Sequence, residues 1–210
     1  LLKKETIRPL LPRRDDRQAK WHFGRAALVC GSAAMSGAAL LSGQAALRSG
    51  VGLVQLCSVP EVISAARTVL PEALLLTLPR QEAFPGAIHR DGAFALLEQA
   101  QKAQSLLFGC GVGITDHGRA LLERLVNGYN GTLIVDADGL NLLSENRTLL
   151  YKVQNRVILT PHMGEFCRLS GLSKEQVLTD PEGAAMNFAA EHRCVVALKA
   201  AKTVITDGAK

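Results

Sequence analysis

Short clusters of glycine, acidic, basic and hydroxyl residues mark the places where this chain could do chemistry. One of them, Gly109–Gly113, reads Gly-Cys-Gly-Val-Gly between an apolar run and an amphipathic stretch. Glycines let backbone N–H groups approach an anion, and a helix start adds about half a positive charge. The spacing fits neither the dinucleotide fingerprint nor a Walker loop. The cluster therefore predicts an anion-binding loop or, alternatively, a tight turn.

Two further clusters combine small or oxygen-bearing side chains with predicted strand ends. Gly31–Ser32 and Ser36–Ala39 form a small-residue loop and helix start. They suit the approach of a flat ligand and, equally, close packing of a helix on a sheet. Asp136, Asp138 and Asn141 follow another apolar run, and their oxygens could hold Mg²⁺ or a ribose. For Asp138 we favour a structural role as the N-cap of the following helix.

A histidine cluster and a lysine cluster complete the set. Thr160–Glu165 places His162 and Glu165 at a strand end that opens a helix, where they could orient a polar ligand or a metal. A structural histidine is the alternative. Lys199–Thr203 places two ammonium groups and a hydroxyl between two predicted strands, which suits phosphate oxygens. The alternative for this cluster is an ordinary charged hairpin.

The elements that must position these clusters alternate between strand and helix from residue 26 onward. Strands are predicted over 26–30, 51–58, 73–78, 105–108, 132–135, 157–160, 194–198 and 203–206. Helices are predicted over 36–49, 61–68, 92–103, 116–127, 164–169 and 182–192, and residues 79–92 are predicted to form a loop. This alternation predicts an α/β fold with an open, mostly parallel sheet covered on both faces by helices. Ligands bind such sheets at the carboxyl ends of strands, where every cluster above falls.

Composition and charge exclude several function classes. The chain has 210 residues, of which 48% are hydrophobic and 20% charged, and no apolar run reaches the roughly 18 residues of a membrane span. Residues 1–25 hold eight Lys or Arg against three Asp or Glu, which accounts for the whole net charge of +5. We therefore expect a basic N-terminal arm over 1–25 and a neutral domain over 26–210. The arm either meets a phosphate-bearing small molecule or is simply solvated, and a nucleic-acid interface is not expected.

The cysteines and the other histidines suggest no further site. The five cysteines are widely spaced without a C-x-x-C pair, which indicates free thiols, a reducing compartment and a cytoplasmic location. Three of them, Cys30, Cys57 and Cys194, are predicted to be small core residues. No signal-peptide pattern opens the chain, which starts with Leu and is expected to be trimmed at its front. We expect the remaining histidines at the surface: His22, His89, His117 and His192.

Taken together, the motifs resemble the ADP/ATP-dependent NAD(P)H-hydrate dehydratases of the ribokinase-like fold. The matching stretches occur in family order at 23–25, 31–39, 45–54, 109–113, 136–141, 159–165 and 196–205. The resemblance implies a three-layer αβα sandwich. It also implies a repair reaction, in which ADP or ATP phosphorylates the ring hydroxyl of (S)-NAD(P)H hydrate and elimination of phosphate restores NAD(P)H. Phosphoryl transfer of this kind normally involves Mg²⁺.

The resemblance also assigns residues and partners. It implies that the hydrated dinucleotide contacts Ala38, Gly111, Gly113 and His162. It implies that the adenine nucleotide contacts Lys199, Ala200, Ala201, Lys202 and Thr203, with Lys199 and Thr203 the strongest candidates. Asp136, Asn141 and Glu165 are expected to shape the site rather than to react. A homo-oligomer is also expected, together with an NAD(P)HX epimerase as a fused domain or separate partner.

The sequence departs from the family pattern at several positions. Cys110 and Met163 stand where proline is usual, Ala200 stands where glycine is usual, and the arm has Ala-Lys-Trp at 19–21 in place of His-Lys-Gly. The family's catalytic aspartate, in a Gly-x-Gly-Asp segment, is expected beyond Lys210, so no catalytic residue is assigned. We therefore expect an active dehydratase truncated at its C-terminus. The alternatives are a catalytically dead nucleotide-binding or scaffold protein and, more distantly, a small-alcohol or vitamin-precursor kinase.

Overall fold

Short runs rich in leucine, valine and isoleucine form one sheet in the computed structural model, which describes residues 2–11, 17–82, 86–153 and 156–209. Its eight strands within these ranges are β1 (Arg25–Val29), β2 (Leu53–Ser58), β3 (Leu74–Thr77), β4 (Ser105–Phe108), β5 (Thr132–Val135), β6 (Val157–Leu159), β7 (Val195–Leu198) and β8 (Val204–Thr206). The strand order is β3-β2-β1-β4-β5-β6-β7-β8, and every pair is parallel except β7–β8. The predicted mostly parallel sheet is confirmed.

Helices follow the first strand and connect it to the later ones, apart from α1 (Lys4–Ile7), which precedes β1. The connecting helices are α2 (Ser36–Arg48), α3 (Pro60–Val69), α4 (Ala93–Ala100), α5 (Asp116–Gly128), α6 (Asp138–Glu145), α7 (Met163–Ser170), α8 (Lys174–Thr179) and α9 (Pro181–His192). The strand order runs from β1 to β3 in one direction and from β4 to β7 in the other. Because parallel crossovers are right-handed, this reversal places α2 and α3 on one face and α4 to α7 with α9 on the other. Contacts of α5 with α4 and α6, and of α2 with α3, agree with that arrangement.

The two faces of the sheet are covered unequally over β4 to β8. On one face, side chains such as Leu106 and Leu133 are buried. Their neighbours on the opposite face, Leu107 and Ile134, are only partly buried, and Ile205 on β8 is 59% exposed. Over the described residues, the core therefore lies mainly beneath α4 to α9 and between α2, α3 and the first strands.

The predicted elements differ from the observed ones mainly at their ends. The strand predicted from residue 51 begins at Leu53, because Gly52 packs against the arm, where an added Cβ would lie 1.6 Å from the carbonyl oxygen of Lys20. Helix α8 was not predicted, although Ser173 caps it and Gln176 completes a capping box. Positions 12–16 of the predicted arm and 83–85 of the predicted 79–92 loop lie outside the described residues. None of the described helices has the length and apolar character needed to cross a bilayer.

The prediction that three cysteines are small core residues is confirmed, and one histidine prediction is wrong. Cys30, Cys57 and Cys194 are free and buried, and burial raises the pKa of Cys57 and Cys194 to about 12. His192, expected at the surface, is only 7% exposed. Its ring packs at 4.3 Å from the ring of Phe188 and 5.1 Å from that of Tyr151. Its buried Nδ1 has no hydrogen-bond partner among the described residues.

We expect His192 to make folding stability depend on pH. Burial lowers its pKa below the ordinary 6.5, Glu191 opposes the shift and Arg147 adds to it. The unfolded chain therefore takes up a proton at a pH where the folded chain does not, so stability is lost as the pH falls from about 6.5. Thermal unfolding at about pH 7.5 and about pH 5.5 should show a lower Tm at the acid pH.

Replacement of His192 by phenylalanine keeps an aromatic ring in this packing and removes the titration. The Tm of the His192→Phe variant should fall less between the two pH values than that of the unchanged protein. His22→Gln, at an exposed histidine, is the control and should keep the original difference. An undiminished fall in the His192→Phe variant would contradict this account.

Candidate functional site

The predicted clusters meet at one edge of the sheet, formed by the carboxyl ends of β1, β4, β5, β6 and β7, which we call the carboxyl edge. The strand order makes these five strands consecutive neighbours. At the β1–β4 junction the N–H of Gly31 donates to the carbonyl of Cys110 at 2.8 Å. At the β6–β7 junction the N–H of Lys199 donates to the carbonyl of Pro161 at 2.7 Å. The expectation that the clusters lie close together is thus met.

The glycine loop, Gly109–Gly113, is shaped by close backbone approaches. Gly109 has φ of +127°, and an added Cβ would lie 2.0 Å from the carbonyl oxygen of Asp136. Gly111 has φ of +73°, and an added Cβ would lie 3.0 Å from the Cβ atoms of both Ala38 and Met35. The structure therefore brings Ala38, in the first turn of α2, against the glycine loop.

Asp138 does not cap the helix that follows it, so that prediction is wrong. The N-cap of α6 is Ala137, and Asp138 is the first helical residue. Its carboxylate instead accepts a hydrogen bond from the N–H of Gly113 at 2.9 Å. Ala137 has φ of 52° and ψ of −121°, a backbone conformation that is rare outside glycine. This unusual turn places the Asp138 carboxylate beside the glycine loop. The carboxylate therefore binds one of the N–H groups that were predicted to bind an anion.

An ion pair joins the acidic cluster to the lysine cluster. The Lys199 ammonium donates to Oδ1 of Asp136 at 2.8 Å, with the Lys199 side chain 44% exposed. On the other side, the Cys110 thiol lies 3.9 Å from Oδ2 of the same carboxylate. Asp136 therefore connects the end of β4 with the end of β7 across β6. The sequence analysis did not predict this ion pair, whose two residues are 63 positions apart in the sequence.

His162 has a clear structural role at the start of α7. Its Nδ1 accepts from the N–H groups of Gly164 at 3.0 Å and Glu165 at 3.3 Å, and Oε2 of Glu165 accepts from the N–H of His162 at 2.8 Å. These bonds form a capping box with histidine as the cap. Nε2 of His162 lies 3.4 Å from Oε1 of Glu165, and the His162 side chain is 56% exposed. His162 therefore caps the helix, pairs with Glu165 and still exposes part of its ring at the carboxyl edge.

The residues between β7 and β8 form an exposed connection in an antiparallel pair. Ala200, Ala201, Lys202 and Thr203 are all exposed next to Lys199. Among the described non-glycine residues, only Ala137 and Arg193 have positive φ. The backbone of Ala200 thus does not require the glycine that is usual there, and its Cβ is tolerated by the fold.

A bound Mg²⁺ would need several oxygen ligands facing one point, and the described residues do not supply them. Among them, no group of three or more His, Cys, Asp and Glu side chains could hold a metal ion. Asp136 is paired with Lys199, Asp138 with Gly113, and the amide oxygen of Asn141 accepts from Nε of Arg168 at 2.9 Å. The predicted metal-binding role of the acidic cluster does not fit this geometry.

Comparison with known proteins identifies the family of a chain with this geometry. A family model described as NAD(P)H-hydrate dehydratase matches residues 26–210. The bifunctional NAD(P)H-hydrate repair enzyme Nnr of Moorella thermoacetica is 35% identical over 208 residues, which cover 98% of this chain and 38% of that protein. The ADP-dependent (S)-NAD(P)H-hydrate dehydratase of Bacillus subtilis is 34% identical over 205 residues, which cover 96% and 67%. This chain thus spans little more than a third of the bifunctional relative.

Solved structures confirm the predicted ribokinase-like fold. The ADP/ATP-dependent NAD(P)H-hydrate dehydratase of Bacillus subtilis, co-crystallised with ATP/Mg²⁺, superposes with a TM-score of 0.78 at 28% identity over 98% of this chain and 68% of that one. A ribokinase-like superfamily protein of Enterococcus faecalis superposes with a TM-score of 0.80 at 24% identity, over 97% of this chain and 67% of that one. This second similarity supports the fold alone. Since the family model covers nearly the whole sequence, the chain belongs to the NAD(P)H-hydrate dehydratase family.

Proposed function

We propose that the carboxyl edge binds (S)-NAD(P)H hydrate and an adenine nucleotide side by side and supports dehydration of the hydrate. ADP or ATP transfers a phosphoryl group to the ring hydroxyl. Phosphate then leaves with the electron pair of the C–O bond, and the neighbouring ring carbon loses a proton, which restores NAD(P)H. Hydroxide is a poor leaving group and phosphate a good one, so phosphorylation makes the elimination possible.

The observation that carries this proposal is the position of Lys199. Its ammonium lies at the carboxyl edge between the exposed 200–203 connection and the carboxylate of Asp136. An ammonium on a flexible stem is suited to neutralising phosphate oxygens. We assign the nucleotide to Lys199 and the adjoining Ala200, Ala201, Lys202 and Thr203.

The hydrated dinucleotide is assigned to the part of the same edge that extends from α2 and the glycine loop to His162. Ala38 and Gly111 approach each other there and leave room for a flat ring, and the half-exposed His162 follows β6 beside Lys199. Gly113 holds the glycine loop in place through Asp138. The carboxylates of Asp136, Asp138 and Glu165 all have structural partners, so we assign them positioning roles and name no catalytic base among the described residues.

We further propose the setting in which the protein works. Mg²⁺ would accompany the nucleotide phosphates, consistent with the acidic cluster being occupied by protein partners. Several relatives are named bifunctional NAD(P)H-hydrate repair enzymes, which supports a second repair activity beside this one, and we propose that an NAD(P)HX epimerase domain or partner supplies it. The free thiols support a cytoplasmic location. A homo-oligomer remains a prediction.

A product assay of the full chain with NADH hydrate, ADP and Mg²⁺ tests the function. We expect a rise in the near-ultraviolet absorbance of reduced nicotinamide together with an equal amount of inorganic phosphate. A stable phosphorylated alcohol without that rise would indicate a kinase. Binding of both ligands without any product would indicate a binding or scaffold protein.

Substitution of Ala38 by leucine separates the two parts of the edge. The larger side chain would fill the space beside Gly111, so we expect hydrated-dinucleotide binding to weaken about tenfold or more, since overpacking typically costs 1–3 kcal/mol. ADP binding should be unchanged. Calorimetric titration of each ligand measures both effects, with Leu41→Gln at an exposed position of the same helix as the control. Equal loss of both ligands in the Ala38→Leu variant would refute the separation.

A further inference from the structure

Two cysteines lie side by side at the carboxyl edge. Cys30 directly follows β1 and is fully buried, and Cys110 lies in the glycine loop after β4 and is partly exposed. β1 and β4 are neighbouring parallel strands, and Gly31 N–H donates to the Cys110 carbonyl at 2.8 Å. Each thiol shifts the pKa of the other. Val29 pairs with Phe108, so Cys30 follows its strand by one residue and Cys110 follows the neighbouring strand by two. Neighbouring strands lie about 4.8 Å apart, within the range of Cα separations that a disulfide spans.

The surroundings make the two thiols unequal. The hydrogen bond from Cys30 lowers the pKa of Cys110, Ser42 and Lys199 act in the same direction, and burial and Asp136 oppose the shift. The same thiol–thiol hydrogen bond, together with burial, raises the pKa of Cys30 well above its usual value. Cys110 is therefore the thiolate-forming partner and Cys30 the protonated neighbour, the arrangement found where one cysteine reacts and a second resolves.

We propose that Cys30 and Cys110 form a redox-sensitive dithiol that a hydroperoxide converts to a disulfide. The Cys110 thiolate attacks the outer oxygen of the peroxide, its O–O bond breaks, and Cys110 sulfenic acid forms with release of an alkoxide or hydroxide that takes a proton from water. The Cys30 sulfur then attacks the sulfenic sulfur. The S–O bond breaks, the Cys30 proton leaves with the hydroxyl as water, and the S–S bond forms. The two thiols are oxidised by two electrons and the peroxide is reduced.

The disulfide would act on the glycine loop. It draws the Cys110 side chain from Oδ2 of Asp136, 3.9 Å away, towards the end of β1. The next residue, Gly111, lies close to Ala38 and Met35, because an added Cβ there would be 3.0 Å from the Cβ atoms of both. Oxidation should therefore weaken binding of the hydrated dinucleotide, a consequence that rests on the proposed function, whereas disulfide formation does not.

Peptide mapping tests the dithiol directly, because trypsin places each cysteine in a separate peptide. These peptides are 26–48, 49–67, 103–119, 157–168 and 194–199. The full chain is treated with stoichiometric hydrogen peroxide, alkylated and digested. We expect peptides 26–48 and 103–119 to appear joined, two hydrogens lighter than their sum, and to separate after reduction with dithiothreitol.

Variants assign the order of events. Cys30→Ser should stop the reaction at Cys110 sulfenic acid, trapped as a dimedone adduct on peptide 103–119. Cys167→Ser, at the other partly exposed cysteine, should leave the link intact. Unlinked Cys30 and Cys110 in the oxidised protein, or a link to peptide 157–168, would overturn the proposal.

Ligand binding separates this inference from the proposed function. If the reduced protein binds the hydrated dinucleotide and the linked protein binds it equally well, the effect on the loop is refuted. If the reduced protein binds neither ligand, the proposed function fails while the mapping result still stands.

Discussion

Replacement of Lys199 by alanine should weaken ADP binding by about ten- to a hundredfold. Hydrogen bonds to charged groups contribute about 1.5–3 kcal/mol, and about 1.4 kcal/mol corresponds to a factor of ten. The substitution also leaves the Asp136 carboxylate without the ammonium that lies 2.8 Å from it, so a negative charge would face the nucleotide phosphates. Isothermal titration calorimetry of ADP into each protein measures the change.

Two comparison variants make the Lys199 result specific. Lys174→Ala removes a positive charge from an exposed lysine on α8 and should leave ADP affinity within about twofold, because exposed charges interact weakly through solvent. Adding Asp136→Asn to Lys199→Ala removes the uncompensated carboxylate and should recover part of the lost affinity. Unchanged ADP binding in the Lys199→Ala variant would remove the nucleotide from this part of the edge.

Replacement of Gly109 by alanine should be the most damaging single change to stability in the site. Its φ of +127° is unfavourable for any residue with a side chain, and the added Cβ would lie 2.0 Å from the Asp136 carbonyl oxygen. We expect a loss of about 3 kcal/mol or more in the free energy of unfolding. For a domain of this size that corresponds to a fall in Tm of roughly 6–12 °C, measurable by thermal unfolding.

Gly37 provides the matched control for Gly109. It lies in the first turn of α2, and an added Cβ would meet no atom within 4 Å. Gly37→Ala should therefore leave the Tm unchanged or raise it slightly, because alanine is up to about 1 kcal/mol better than glycine in a helix. Similar stability of the two variants would show that the close approach of the glycine loop to Asp136 is not a constraint of the fold.

The strands and the meeting of the polar clusters at one edge of the sheet could be predicted from the sequence because both depend on local patterns. Strands of a parallel sheet appear as short continuous apolar runs, and β4 and β5 were predicted with their observed bounds. The carboxyl edge follows from strand direction alone. Once the sheet is parallel, polar clusters that follow its strands must share one edge.

The partners of individual side chains could not be predicted, because they come from distant parts of the chain. Asp138 appeared to be a helix cap, yet its partner is Gly113, brought near only when β4 and β5 pair. The Asp136–Lys199 pair depends on the packing of β6 between β5 and β7. The ring of His192 packs against that of Tyr151, which comes from a distant part of the sequence. Residue spacing within one helix or strand cannot identify such partners.

Dehydration at the carboxyl edge requires that the hydrated dinucleotide and the adenine nucleotide bind there at the same time. The deciding measurement is calorimetric titration of hydrated NADH into the full chain, first alone and then with ADP at saturation. We predict that the hydrated dinucleotide binds in both titrations with one site per chain, and that Ala38→Leu weakens this binding about tenfold or more while ADP binding is unchanged. Mutual exclusion of the two ligands, or binding of neither, would contradict the assignment of adjacent subsites.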